Sequence, residues 1–391
     1  MAYQIENQRV VATEILQAIA SGEDVRLDRC TVTGQFDINR LFIKEENFDT
    51  SALSITETDD ASILELASLL SFDGCTFEDN VCFAPPWDRS SKLKVHFKRD
   101  IMFNSSVFCS QARFSKAIFA GLAGFDGCSF NAISTFRDAV FCERALFRTV
   151  TFNGYGLFDG CSFTKEARFA NACFARGGNF TKVRFGSRTD FAGVHSTSKS
   201  VPVYESVKFV KRLHGVDETF WRFIKQASQE AGYYQLTGEA FYSERCANLC
   251  KRFFGTNYDT LSRPKKIARL ATGVRLLPEL VFGRLLFGYG ERPIRILVAS
   301  AIIILLCAIL YVLPDVPPGF GIVCRDMSWD KPGLMDGLYF SITTFTTLGF
   351  GDIYPNPDYL PTRVLAMLEA LSGACLMALF VVSLAKRYSR G

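Results

Sequence analysis

At 391 residues the chain exceeds the length over which one hydrophobic core keeps growing, so more than one domain is expected. Its hydrophobic fraction of 48% is high for a soluble protein, but the excess is concentrated after Pro293, and a formal charge of +4 carries no demand for nucleic acid. The 13 Cys show no paired spacing of a disulfide or zinc framework, and the 37 Phe point to a repeat.

The first ten residues are polar and lack the apolar stretch of a signal peptide, so the N-terminal region is expected in the cytoplasm. Residues 7–21 carry apolar positions at helical spacing and end at Gly22, which predicts a short capping helix within 1–24, covering the near end of the next domain. A repeat domain is expected over 25–195. Its beat is irregular at first and becomes regular from Phe103, through Phe108, Phe114, Phe119 and Phe125, to Phe191 with steps alternating between five and six. A small residue mostly stands two places before each Phe, as in Ala112, Ala123, Cys128, Ala145, Gly156 and Ala167. Neither 3.6 nor 2 generates alternating fives and sixes, whereas a coiled β-solenoid that turns one Phe inward on each short side does. Residues 84–96 break the beat and read as a loop.

The centre Phe and the small residue two before it resemble the pentapeptide-repeat family, which implies a right-handed β-helix. Members of that family can imitate DNA, but this repeat carries Arg and Lys freely, including Arg113, Lys116, Arg137 and Arg148, so its outer face is no polyanion. His96, His195 and His214 lie far apart and without evident partners, and Cys246 with Cys250 lacks a second pair for a metal; no enzymatic constellation is visible.

Residues 196–202 read as a linker, and 200–258 as an α-helical connector of two or three helices. It either caps the solenoid or forms a subunit contact. Residues 259–290 mix Arg and Lys with Leu, Val and Phe without a spanning run, which predicts a basic interfacial helix on the lipid surface, its apolar side in the acyl boundary. A pore domain is expected over 291–391. Ile294 to Leu313 and Val364 to Ala385 are each long and apolar enough to cross the bilayer. Arg284, Arg292 and Arg295 before the first and Lys386, Arg387 and Arg390 after the second put both termini on the cytoplasmic side of the cell membrane. The segment between is acidic, with Asp315, Asp326, Asp330, Asp336, Asp352 and Asp358, and would gather cations.

Residues 336–346 are apolar but too short to span, which suits a re-entrant half-helix ahead of the stretch Thr346 to Asp352, TTLGFGD. This stretch resembles the TVGYGD filter of the two-helix potassium channels, with Leu348 for Val and Phe350 for Tyr. The resemblance implies carbonyls from Thr347, Leu348, Gly349 and Phe350 around potassium ions, Gly351 at the outer entrance, Asp352 at the mouth, and a homotetramer of which one chain is a quarter. Thr346 is expected to support the pore helix. Glu369, ionisable inside a span, is a functional candidate or a structural hydrogen-bonding group behind the filter, and Gly373 is a candidate gating hinge. No cofactor other than the permeant ion is implied. The alternatives are a nonselective or sodium-passing channel, or a membrane-tethered scaffold with a vestigial pore; the ligand or partner of the solenoid stays unnamed.

Overall fold

The computed structural model describes residues 2–42, 48–57, 62–84, 93–197, 200–255, 258–313, 321–324 and 332–388. The chain divides into two compact units, 1–273 and 274–391.

The first unit is strand-rich, and its short strands stack into four ladders that are parallel except for the edge pair Ser54–Glu57 with Ser62–Leu66. Every step up a ladder in the regular part is 22 residues: Ala123 pairs with Ala145 and Ala145 with Ala167, while Phe108, Phe130, Phe152 and Phe174 align in another ladder. One coil is therefore two of the eleven-residue units. The alternation of five and six comes from two kinds of corner. Ser105, Lys116, Gly127, Asp138, Thr149, Gly160, Asn171 and Lys182 all have positive φ, one in every five-residue step, and the left-handed residue turns the chain in one place fewer.

The 22-residue coil puts each Phe on the Phe one coil below. Phe125 stacks on Phe147 at 5.0 Å and 4°, and Phe147 on Phe169 at 4.9 Å and 4°. Neighbouring columns meet edge-on, as Phe136 and Phe147 do at 5.4 Å and 86°. The small residues fill what space the rings leave; Ala112, Ala117, Ala123, Cys128 and Cys161 are fully buried, and a Cβ at Gly156 would come within 3.0 Å of the Phe174 ring.

Three boundaries differ from the sequence expectation. The first helix, α1, is Ala12–Ala20; before it Ala2–Glu6 and Arg9–Val11 are strands paired with Asp24–Asp28 and Thr31–Thr33, so the N-terminus already forms a coil. Periodicity alone could not separate these, because Val10 and Val11 fit both patterns. Residues 93–97, expected in a loop, form a strand paired with Ser62–Leu66, and residues 85–92 lie outside the described ones. The stretch around Lys208–Phe209, expected as helix, pairs with Arg184–Phe185 and adds a further side to the solenoid, its Phe209 stacking on Phe185 at 5.1 Å.

Helix α2, Glu218–Glu230, then lays Phe220, Phe223, Ile224 and Ala227 across the last coil, where Phe220 meets Phe191 at 5.1 Å. Buried apolar surface at the open end is thereby covered. Helix α3, Tyr234–Phe253, is tied to α2 by charge: Glu218 accepts from Arg222 and Lys251 at 2.9 and 2.6 Å, and Glu244 from Arg222 and Lys225 at 2.9 and 2.7 Å. His96 and His214, read as lone, face carboxylates: Glu65 at 3.9 Å and Asp259 at 3.5 Å.

The expected single interfacial helix changes type along its length, from α to a 3-10 turn at Val274–Leu276 and then to π. Helix α4, Arg263–Gly273, ends in the first unit, where Gly273 lies against the Phe253 ring; a π-helical stretch, Glu279–Leu286, comes next in the second. Pro278 has no N–H to donate to the Val274 carbonyl, which interrupts the α pattern where the type changes. Both pieces expose apolar side chains, among them Ile267 and Leu270, then Phe282 and Leu285.

The second unit holds α5, Ile294–Val312, the shorter α6, Leu334–Phe345, and α7, Leu360–Tyr388. Helices α5 and α7 are long and apolar enough to cross a membrane, and about four-fifths of each apolar window lies outside the core of the single chain.

Candidate functional site: the loop after the half-helix

Helix α6 is started by Asp336, whose Oδ2 accepts the Gly333 N–H at 2.8 Å, a carboxylate placed where the helix dipole favours it. It lies close against α5 because Gly337 has no side chain: a Cβ there would be 2.5 Å from both the Ala308 carbonyl oxygen and Val312 Cγ2. Tyr311 of α5 meets Phe340 of α6 edge-on at 4.9 Å.

Glu369 of α7 is buried and joins the three helices. Its Oε2 accepts from Tyr311 Oη at 2.7 Å, and its Oε1 is hydrogen-bonded to Ser341 Oγ. Ser341 Oγ also lies 2.9 Å from the Ile304 carbonyl. Gly373, one turn on, faces the end of α6, where a Cβ would overlap the carbonyl oxygen of Phe345. Thr346, expected to support the pore helix, bonds the last turn of that helix, Oγ1 to the Ile342 carbonyl at 2.7 Å.

After α6 the backbone alternates. Thr347, Gly349 and Gly351 have φ of 58°, 51° and 79°, whereas Leu348 and Phe350 are not left-handed. Alternating left- and right-handed residues turns successive peptide planes the same way, with N–H groups along one edge and carbonyls along the other. The amides of Leu348 and Gly349 both reach back to the Thr343 carbonyl, at 2.9 and 3.3 Å, so the N–H edge faces the half-helix. Thr347, which is not a glycine, holds its left-handed place with Oγ1 bonded to the Thr346 carbonyl at 2.7 Å.

The side chains of Leu348 and Phe350 are 63% and 68% exposed in the single chain. Tyr339 of α6 stands over the loop: its ring lies parallel to Phe350 at 6.4 Å, and its hydroxyl donates to Asp352 Oδ2 at 2.8 Å. That bond, helped by the Ile353 N–H, holds the Asp352 carboxyl below the usual range. Beyond Asp352, Ile353–Pro355 pairs antiparallel with Ile322–Cys324, and the Gly321 N–H reaches Thr362 Oγ1 at 3.3 Å, tying the loop's far end to α7.

The structure thus brings Thr347–Asp352, Glu369 and Gly373 around one half-helix. Tyr339, Tyr311 and Ser341 were missed in the sequence; each is a hydroxyl in an apolar segment, and a partner for Glu369 or Asp352 was the signal to look for. Asp315, Asp326 and Asp330 of the acidic segment lie outside the described residues.

Residues 297–390 match the family model described as an ion channel. Over 52 residues the chain is 42% identical to "Two pore potassium channel a" of Oryza sativa subsp. japonica, a stretch that is 13% of this chain and 14% of that protein. No solved structure matches. Residues 297–390, which hold most of the two membrane-competent helices and the half-helix between them, are similar to the ion-channel family.

Proposed function

We propose that the chain is one subunit of a homotetrameric, potassium-selective channel that conducts passively through Thr347, Leu348, Gly349, Phe350 and Gly351, with Asp352 at the mouth. The observation that carries this reading is the left-handed alternation at residues 347, 349 and 351, with the amide edge turned to Thr343. Four such loops around an axis present stacked rings of backbone carbonyls in place of an ion's water shell. Leu348 and Phe350, exposed in one chain, and the open faces of α5 and α7 give neighbouring subunits and lipid apolar surface to cover. Both termini face the cytoplasm, and the basic, apolar stretch 263–290 contacts lipid. The solenoid is a pentapeptide-repeat-type module of regulatory or assembly role.

The test is ion flux from liposomes holding the purified chain. Gly349→Ala places a Cβ on a left-handed residue and is expected to abolish potassium flux; equal flux in both proteins would leave only the scaffold. Phe350 lacks the hydroxyl of the majority residue, so selectivity is read separately. In opposed potassium and sodium gradients the reversal potential is expected near the potassium value; a value near zero makes the channel nonselective.

A further inference from the structure

The chain enters α5 through Gly288, Tyr289, Gly290 and Glu291, and three of these in succession are left-handed, at φ 56°, 53° and 84°. A tyrosine is a poor choice for that conformation, and a run of three is rarer than any single one. The turn is packed against the end of α7 farthest from the filter. Buried Ser383 donates from Oγ to the Gly290 carbonyl at 3.0 Å. Lys386 Nζ donates to the Tyr289 carbonyl at 3.0 Å and pairs with Glu291 Oε1 at 2.8 Å. The fit leaves little slack: a Cβ at Gly290 would come 3.2 Å from Lys386 Cδ and 3.3 Å from the Phe287 ring. Beneath, Ile296 of α5 and Leu376 of α7 are buried together, with Phe287, Leu379 and Phe380 packed on them.

The left-handed run explains the grip. It offers two successive carbonyls to α7, where a hydroxyl and an ammonium take them, and an ion pair closes the same contact. These bonds are directional, so they are made in one position of the helix end and lost when it shifts.

We propose that the Gly288–Glu291 turn is a latch on the inner helix: through Ser383 and Lys386 it fixes where the cytoplasmic end of α7 stands, and so sets the balance between open and closed pore. The latch rests on the potassium-pore reading. It makes the turn a coupling element beside the apolar contact of Phe287 with the same cluster, since a displacement of the chain preceding α5 is passed to α7 through its directional bonds. No described hydrogen bond or ion pair joins Ser383, Lys386 or Glu291 to residues 346–352, so the latch governs how often the pore is open and leaves untouched what passes.

The experiment is single-channel recording, with liposome flux in parallel, of the full chain and of Ser383→Ala, Lys386→Met, Glu291→Gln and the charge-exchanged double variant Glu291→Lys with Lys386→Glu. Each single variant is expected to move open probability at least about fivefold, all in one direction, the size of an ordinary coupling between sites. Unit conductance and reversal potential stay at the wild-type values, and the exchanged pair returns most of the way. Should Lys386→Met fail to assemble, Ser383→Ala against Ser383→Thr removes and restores one hydroxyl and decides alone. Variants that conduct with wild-type open probability overturn the latch while leaving the pore. A wild-type protein no more conductive than Gly349→Ala overturns the pore reading, and the latch with it.

Discussion

Glu369 shows how a single carboxyl organises an apolar region. Of its partners, Ser341 has an alternative acceptor in the Ile304 carbonyl, whereas the Tyr311 hydroxyl bonds no other group among the described residues; the Cys307 thiol also hydrogen-bonds the carboxyl. Glu369→Leu should therefore cost about 1–3 kcal/mol, mainly by leaving the Tyr311 hydroxyl buried and unsatisfied. Glu369→Gln, whose amide oxygen still accepts, should cost less, and adding Tyr311→Phe to Glu369→Leu should recover much of the loss. Thermal melting in detergent measures all four; equal melting of Leu and Gln variants would refute the argument. Tyr339 acts at the other side of the half-helix. With Phe350 unable to donate, the Tyr339 hydroxyl on Asp352 is the described side-chain bond holding the loop's outer end to α6. Tyr339→Phe is expected to keep the reversal potential but make current decline faster during sustained conduction, read in planar bilayers. Gly373 already has a packing duty against Phe345, which a hinge would have to share.

In the solenoid, sequence and element correspond unusually closely. The five-and-six rhythm of Phe residues was legible because each ring must stack on the ring 22 positions earlier, and any other spacing would put it in solvent. The corners were not legible. Asp138, Asn171 and Gly160 suit a left-handed place, but Thr149 and Lys182 sit in the same position and do not announce it. Thr149 is β-branched at φ 55°, so Thr149→Gly should raise stability by about 0.5–1 kcal/mol after allowing for the greater freedom of Gly in the unfolded chain. Thr151→Gly, within the strand two residues on, should lower it by a similar amount. Opposite shifts in melting temperature are the expected result; shifts of the same sign would mean that backbone conformation is not what the corner selects for.

The two compact units imply that the pore can be separated from the solenoid and its helical cap. Truncation after residue 200 would cut inside the solenoid, stranding Lys208–Phe209 and uncovering Phe220 and Phe223. A chain beginning at Val274 removes the first unit whole. On the proposed reading such a chain should keep the full protein's reversal potential in liposomes, while its open probability differs, because residues 347–351 lie in the second unit and a regulatory solenoid would act on opening. Unchanged open probability under every condition tried would leave the solenoid an assembly or docking role.

Amino-acid order determined what depends on local pattern and length: the repeat from its beat, the two membrane-competent helices from their apolar runs, the left-handed places at 349 and 351 from their glycines, and the half-helix from an apolar stretch too short to cross. Tertiary structure decided what depends on partners distant in the chain. Strand or helix at residues 2–11 and 203–209 turned on whether a coil edge was there to pair with, which no window of a few residues records. Glu369 finding Tyr311 across 58 residues and Ser383 finding Gly290 across 93 are meetings of helix faces. Either side chain alone reads as an ordinary polar residue; only packing makes it a tether.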